Sequence, residues 1–318
     1  GTALTYSDNF SVAFDENDKN TYSEITETII TDELIDESGD FIENYTVSKI
    51  ATITFTETGV TFTPDIIDQV GYTIVDGTHI MINSSRSKMA YRVQGSCSNG
   101  SLKIYSEKKF QLALNGLSLT NPKGPAINVQ SGKTVYVTLA AGKTNTLCDG
   151  EVYADAPYAD GEPEDQKGTF FSEGQLIFSG TGTLNVRSYG GHAICSDDYI
   201  RVRSGNINIL SSVKDGFNTN EQFRVGRMAA SAPVITVNAD GDGIDCGKGN
   251  ILIGLVVGMK IGTLQGESRG VRRIDLTRGN HVNAHTLLCG DLVNALKRSR
   301  LGGILHVTAP AKCLFYCR

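Results

Sequence analysis

Residues 192–209 read HAICSDDYIRVRSGNINI, and the same pattern returns further along the chain. Residues 215–226 read DGFNTNEQFRVG, and a third copy begins with DGIDC at residues 242–246. If Ile194, Phe217 and Ile244 are equivalent positions, the chain repeats at steps of 23 and 27 residues. Self-similarity at such a period is typical of solenoids and other repeat architectures.

The repeat extends in both directions from these copies. Phe171 lies 23 residues before Ile194, Ile104 lies 23 residues before Ile127, and Val271 and Val293 continue the series towards the C-terminus. We therefore predict a column of inward side chains on consecutive rungs: Ile104, Ile127, Phe171, Ile194, Phe217 and Ile244.

Each repeat contains two short alternating strands separated by a glycine turn. Alternation sends Ile200, Val202, Ile207 and Ile209 to one side of the chain and the polar residues to the other. A single repeat cannot bury its apolar side alone, whereas stacked repeats can. Propeller blades need longer units and leucine-rich repeats need a Leu/Asn ladder. The sequence thus predicts an all-β fold, a right-handed parallel β-helix with an N-terminal β cap region.

Changes of composition and charge along the chain suggest three regions. Residues 1–93 are expected to form an acidic lead-in and a β cap, because residues 1–45 hold twelve Asp/Glu against one Lys. Residues 94–253 are expected to form the β-helix, with an acidic insertion at 149–167. Residues 254–318, where ten Lys/Arg accompany three Asp/Glu, are expected to be divergent terminal rungs or a poorly ordered tail.

Composition argues against several classes of protein. No run of about 20 apolar residues exists, so no transmembrane segment is expected. The first ten residues lack the charged and apolar regions of a signal peptide. The basic C-terminal region carries no nucleic-acid-binding motif, so nucleic acid is not an expected partner. Seven cysteines are an odd number without zinc spacing, and we expect them mainly as small buried side chains.

Two further segments carry a family resemblance. Residues 109–129 read KFQLALNGLSLTNPKGPAINV, and residues 138–150 read TLAAGKTNTLCDG. Together with the repeats at 168 and 192, they make residues 95–253 resemble a bacterial family, the carbohydrate-binding domain-containing proteins. The resemblance implies a pectate-lyase-like parallel β-helix that binds acidic plant polysaccharide without cleavage and holds calcium in acidic corners. It also implies a secreted or cell-surface protein, often a lipoprotein with a lipid anchor upstream of the numbered chain. After Ile253 the family pattern decays.

Outward arginines and tyrosines are the candidates for carbohydrate binding. Arginine suits a uronate carboxylate because its planar fork binds in a bidentate way, and tyrosine rings stack on sugars. The alternative is an ordinary solvated strand face. The predicted carbohydrate-binding residues are Arg201, Arg203, Arg224, Arg187, Tyr189, Tyr153 and Tyr158.

Aspartates at successive corners are the candidates for calcium ligands. Adjacent rungs bring such carboxylates together, and calcium takes six to eight oxygen ligands. The alternative is that each aspartate only caps its own turn. The predicted metal ligands are Asp197, Asp198, Asp215, Asp242 and Asp245.

An enzyme and a structural adhesin are the alternative functions. A β-helix hydrolase needs paired carboxylates, yet Asp197-Asp198 and His192 stand here in the reverse of the order that the resembling enzymes show. A lyase needs a basic residue beside calcium-bound uronate, and nothing singles out Arg201 or Lys214 for that role. We therefore expect non-catalytic polysaccharide binding, with a β-helix lyase or hydrolase as the first alternative and a surface spacer as the second.

Overall fold

A computed structural model describes residues 38–65, 67–155, 163–225 and 233–247, together with the backbone of five strands between 251 and 317. The described residues form β-strands and two short 3₁₀ turns, Ser38–Asp40 and Ile42–Asn44. Among them, no helix has the length and apolar character that crossing a membrane requires. Val271, Val293 and Tyr158 lie outside the described residues.

The strands are short, as corners every few residues require. In chain order they are β1 (Lys49–Thr56), β2 (Gly59–Thr63), β3 (Val70–Val75), β4 (His79–Ser84), β5 (Met89–Cys97), β6 (Ser101–Ser106), β7 (Phe110–Asn121), β8 (Ile127–Val129), β9 (Val135–Leu139), β10 (Thr144–Asp149), β11 (Gly168–Ser172), β12 (Leu176–Gly180), β13 (Thr183–Ser188), β14 (His192–Ser196), β15 (Ile200–Val202), β16 (Asn206–Ser212), β17 (Phe217–Thr219), β18 (Phe223–Val225), β19 (Val234–Ala239), β20 (Ile244–Cys246), β21 (Ile251–Val256), β22 (Met259–Gln265), β23 (Arg272–Arg278), β24 (Gly303–Thr308) and β25 (Lys312–Cys317).

Parallel pairing between successive repeats builds three faces, which confirms the predicted parallel β-helix. Face 1 contains β4, β6, β8, β11, β14, β17 and β20. Face 2 contains the first halves of β5 and β7, then β9, β12, β15, β18 and β21. Face 3 contains the second halves of β5 and β7, then β10, β13, β16 and β19. About six turns result.

The inward column of face 1 follows the predicted repeat, with two corrections of register. Ile194, Phe217 and Ile244 pair in successive strands as expected. The rung before them contributes Phe170 to this column, and Phe171 faces outward. Ile127 pairs with Leu102, which places Ile104 two residues further along its strand. The predicted alignment of Phe171 and Ile104 with this column was therefore wrong, because the turns between rungs differ in length, although Ile104 does point into the core as predicted.

The three faces enclose one apolar core. Ile200, Val202, Ile207 and Ile209 all point into it, as predicted. Mainly Ile, Val and Leu side chains fill the interior, and among its aromatic residues Phe170 and Phe178 meet edge to face with ring centroids 6.0 Å apart. The side chains at the alternate positions of the same strands point away from the core, and they form the outer surface of the solenoid.

Both ends of the solenoid are covered by antiparallel strands. At the N-terminal end β1 pairs with β2 and β3 pairs with β4, and the stacked rings of Phe62 and Tyr72 close the core. These strands form the predicted β cap. At the other end β24 pairs with β19 and β25 pairs with β21, again antiparallel. The domain limits themselves stay a prediction.

Four cysteines, Cys97, Cys148, Cys195 and Cys246, have side chains that the structure describes, and all four are free thiols. Cys97 and Cys195 are buried, and burial raises the pKa of the Cys195 thiol. This placement agrees with their expected role as small buried side chains.

Candidate carbohydrate-binding and metal sites

The predicted arginine ladder exists, but it does not face solvent. Arg201 and Arg224 occupy paired positions on β15 and β18, and Arg203 follows on the same side. Arg201 and Arg203 are each 1% exposed and Arg224 is 9% exposed. The expectation of an open ladder was wrong, because a chain segment far away in sequence covers it.

That segment is residues 38–45, which we call the strap. Asp40 accepts a hydrogen bond from Arg201 at 2.5 Å and another from the Tyr199 hydroxyl. Glu43 pairs with Arg203 at 2.7 Å, and this guanidinium holds the pKa of the Glu43 carboxyl below its ordinary value. The strap therefore presents two carboxylates to the guanidinium groups where a uronate was expected to bind.

Aromatic contacts hold the strap against face 2 as well. The guanidinium of Arg203 lies 4.4 Å from the centre of the Phe41 ring, and Tyr45 packs on Tyr136 with centroids 5.1 Å apart. The Tyr136 hydroxyl donates to the Gly39 carbonyl. Cation–π and stacking contacts of this kind each contribute about 0.5–2 kcal/mol.

Face 3 carries an open polar surface instead. Its outward positions line up in register across five rungs, so hydroxyl and amide groups recur at the strand spacing of about 4.8 Å. The amide of Asn208 donates to that of Asn185 at 2.9 Å. The central row contains Ser118, Thr146, Asn185, Asn208 and Thr236.

Arg187 and Tyr189 border this row, and both are exposed. Arg187 lies between Cys148 and Ser211 on the neighbouring strands, and Tyr189 follows β13 with 43% of its surface exposed. Of the predicted carbohydrate-binding residues in the described region, these two are the ones that are open to solvent. Face 3 thus combines a cation, an aromatic ring and many hydrogen-bonding groups.

Tyr153 has a structural role in the insertion. Its hydroxyl donates to Asp149, and its ring fills the space beside Gly190, where a side chain would collide with it. The insertion is also anchored by Glu164, whose buried carboxylate pairs with Lys103 at 2.5 Å and accepts a hydrogen bond from Tyr105. Tyr153 is therefore not available as a stacking platform.

Three carboxylates meet at one corner of face 1, which we call the acidic corner. Asp165, Glu173 and Asp197 have ligand atoms that all lie within 4.8 Å of one another. Burial, with Asp197 and Asp165 as negative neighbours, raises the pKa of the Glu173 carboxyl. The Lys167 ammonium bridges Asp165 and Asp197 at 2.7 and 2.6 Å. The acidic corner therefore already holds one positively charged group, the Lys167 ammonium.

The five predicted metal ligands are not brought together. Asp197 belongs to the acidic corner, while Asp198 turns to the other side, where it accepts from Gln175 and from the Tyr199 backbone. Asp215 accepts from the backbone of Asp242 and from Asn218, and Asn218 also donates to Asp245. Turn capping thus describes Asp198, whereas Asp215 links neighbouring rungs through His192 and the Asp242 backbone.

The acidic corner fits calcium in its donor chemistry. Three carboxylates offer up to six oxygens, and calcium takes six to eight. The pKa of Glu173 is raised first by burial and then by the negative charges of Asp197 and Asp165, and a divalent cation would offset those charges. Asp165 and Glu173 were missed from the sequence, because one belongs to the insertion and the other to a turn without a repeated aspartate.

Two of the residues considered for catalysis, His192 and Arg201, are engaged in contacts within the fold. The Nδ1 of His192 lies 3.1 Å from the Asp215 carboxylate, at the first position of β14. Arg201 is covered by the strap, and Lys214 is an exposed turn residue. None of these contacts organises a second carboxylate around His192.

The strand pairings and flat polar faces place this chain in the class of parallel β-helix proteins. Within that class, the sequence pattern of the carbohydrate-binding domain-containing proteins matches residues 76–271, more than half of the chain. The chain belongs to this family.

Two known proteins are similar to it. A carbohydrate-binding domain-containing protein from Acetivibrio thermocellus is 28% identical over 121 residues, which are 37% of this chain and 41% of that relative. The match thus spans less than half of the relative's length. The structure of a polysaccharide lyase-like protein from C. thermocellum, solved as a gadolinium derivative, is 20% identical with a TM-score of 0.46. The alignment covers 64% of this chain and 81% of that one.

Proposed function

We propose that this chain binds an acidic polysaccharide along face 3, outside the cell, without cleaving it. Family membership supports carbohydrate binding. The open row of hydroxyl and amide groups on face 3 is the reason for proposing this face as the binding surface. A polysaccharide lying across the rungs meets a hydroxyl or amide about every 4.8 Å, close to the length of one sugar residue. Each rung therefore supplies one set of hydrogen bonds per sugar.

Arg187 and Tyr189 give this face its preference for a charged sugar. A guanidinium pairs with a carboxylate by two parallel hydrogen bonds, which are about twice as strong as neutral ones. Tyr189 adds a ring against which a pyranose can pack. The remaining side chains of the row are uncharged. Arg187 therefore gives the preference for a uronate, and the repeated hydroxyl and amide groups give an affinity that increases with the length of the polysaccharide.

Removal of these two side chains tests the proposal. Binding of polygalacturonate, cellulose and xylan is measured by calorimetry for the native chain and for the Arg187→Ala and Tyr189→Ala variants. We expect Arg187→Ala to weaken polygalacturonate binding by about 1.5–3 kcal/mol and to spare cellulose. Arg92→Ala is the matched control, since Arg92 is also an exposed strand arginine but lies on face 2. Equal affinities for native chain, variant and control would refute the choice of face 3.

The same samples test whether binding occurs without cleavage. Lyase and hydrolase products are followed during long incubation with each polysaccharide, with and without calcium. We expect none. Product formation by the native chain would contradict the non-catalytic assignment and favour the enzyme alternative.

The acidic corner is our proposed calcium site. Calcium binding there would displace the Lys167 ammonium, and the ion would keep open positions for further oxygens. The Asp197→Asn variant should lose calcium binding in calorimetry, whereas Asp240→Asn, an exposed aspartate outside the corner, should retain it. Calcium affinity that is identical in both variants would exclude the corner as the site.

A further inference from the structure

A groove of about 580 Å³ lies on the edge between faces 1 and 2, beside the end of the strap. We call it the lysine groove. Its volume falls within the range of small-molecule sites, about 300–1,000 Å³. The groove is formed by the corners of the first turns and is separate from face 3. Its charged lining residues are Lys88, Lys108, Lys109, Lys133 and Glu107.

The lysines recur because successive rungs place their corners above one another. Phe110 pairs with Val135, and Ala90 pairs with Gln111. Lys108 and Lys133 each stand two residues before one of the first pair, so they occupy equivalent positions on adjacent rungs. Lys88 and Lys109 correspond in the same way. Positive charge thus repeats along this edge at the strand spacing of about 4.8 Å.

These charges are available to a ligand. Four lysines face one glutamate, a net charge of +3. All four lysines are exposed, and none forms a salt bridge with a carboxylate in the part of the chain that the structure describes. Clustered cations without a countercharge repel one another, and an anionic ligand relieves that repulsion.

An aromatic wall stands beside the cations. Tyr45 lines the groove, and its hydroxyl donates to the carbonyls of Met89 and Lys109 at 3.0 and 3.1 Å. The Lys109 ammonium lies 6.0 Å from the centre of the Tyr45 ring and 5.7 Å from that of Tyr136. The strap therefore fixes both the ring and one ammonium in place before any ligand arrives.

We propose that the lysine groove is a second, calcium-independent site that binds carboxylated sugars, taking a short run of uronate residues. Ammonium groups repeated at the rung spacing match carboxylates repeated once per sugar, and the fixed Tyr45 ring packs against one pyranose. This site is additional to the one on face 3, and it rests on the proposed function only for the class of ligand.

The test uses a trimer of galacturonate as the probe, with a chelator present so that calcium plays no part. Its methyl ester has the same shape without the charges. Calorimetry is performed on the full chain, on the double variant Lys108→Gln with Lys133→Gln, and on Lys123→Gln as a control. Lys123 is exposed but lies on another corner and outside the groove.

We expect the native chain and the Lys123→Gln variant to bind the trimer equally. The double variant should bind it at least roughly tenfold more weakly, as expected for the loss of charge-assisted hydrogen bonds. Its thermal unfolding should be unchanged, because both lysines are exposed. The methyl ester should bind weakly to all three proteins. Unchanged trimer affinity in the double variant, or equal binding of trimer and ester, would overturn the proposal.

The Arg187→Ala variant separates this inference from the proposed function. If trimer binding persists in that variant while polymer binding falls, the groove and face 3 are independent sites. If Arg187→Ala alone abolishes trimer binding, the trimer binds face 3 and the groove inference is overturned. If polymer binding depends only on the groove lysines, face 3 is refuted and the groove stands.

Discussion

The Asp40→Asn variant should release the strap while the solenoid stays folded. The Asp40 carboxylate is 2% exposed and lies 2.5 Å from the equally buried Arg201 guanidinium and 3.5 Å from that of Arg224. Asparagine keeps the shape and removes the charge, which leaves a buried cation without a countercharge. Breaking a buried ion pair in this way costs about 3–5 kcal/mol.

Because the strap can detach by itself, only part of that cost lowers the free energy of global unfolding. When the strap detaches, the Arg201 side chain becomes exposed to water. The protein then loses only the free energy that holds the eight residues of the strap on face 2. We therefore expect hydrogen exchange at the Asn44 and Tyr45 amides, which bond within the strap, to accelerate strongly in Asp40→Asn. Amides of the core strands should keep their native protection, because local opening and global unfolding are separate events.

Glu43→Gln is the matched control for this experiment. Its partner Arg203 is buried, but the Glu43 side chain is 63% exposed, and pairs with one solvated member contribute about 0–1 kcal/mol. Exchange in the strap should therefore accelerate by about fivefold at most. Equal acceleration in both variants, or native exchange in Asp40→Asn, would refute the view that the buried Asp40–Arg201 pair fastens the strap.

Three further predictions concern other parts of the molecule. Because Arg203 lowers the pKa of Glu43 from its ordinary value of 4.5, this pair should stabilise docking above that pH and lose its contribution as pH falls through the lowered pKa; strap exchange measured as a function of pH checks this. Phe178→Ala removes a fully buried ring and should reduce the free energy of unfolding by about 3–5 kcal/mol in urea titrations. Glu164→Ala removes the buried anchor of the insertion, so limited proteolysis should cut between residues 149 and 167 faster than in Glu151→Ala, which alters an exposed residue of the same insertion.

The repeat in the sequence predicted the solenoid because inward positions recur whatever the corners contain. It failed at residues 168–174, where two phenylalanines stand side by side. Alternation with a period of two sends one inward and the other outward, and apolar character does not distinguish them. Only the pairing of Phe170 with Ile194 resolves the choice.

The candidate site was predicted less well for a different reason. Local alternation correctly placed Arg201 and Arg203 away from the core, but it says nothing about what lies on top of them. Asp40 contacts Arg201 across a sequence separation of 161 residues. An acidic stretch with interspersed aromatic residues, as in 40–45, was the available signal. The lysine groove was equally hidden, because its four lysines are adjacent only when three corners are stacked.

The strap and the residues that it contacts are synthesised at different times. Its anchoring partners, Tyr199, Arg201 and Arg203, are translated about 160 residues after Asp40. At roughly 5–20 residues per second, a ribosome needs about 8–30 s to reach them. During that interval the strap has emerged while its seat on face 2 has not been made. The strap can therefore dock only after the strand that carries Arg201 and Arg203 has been synthesised.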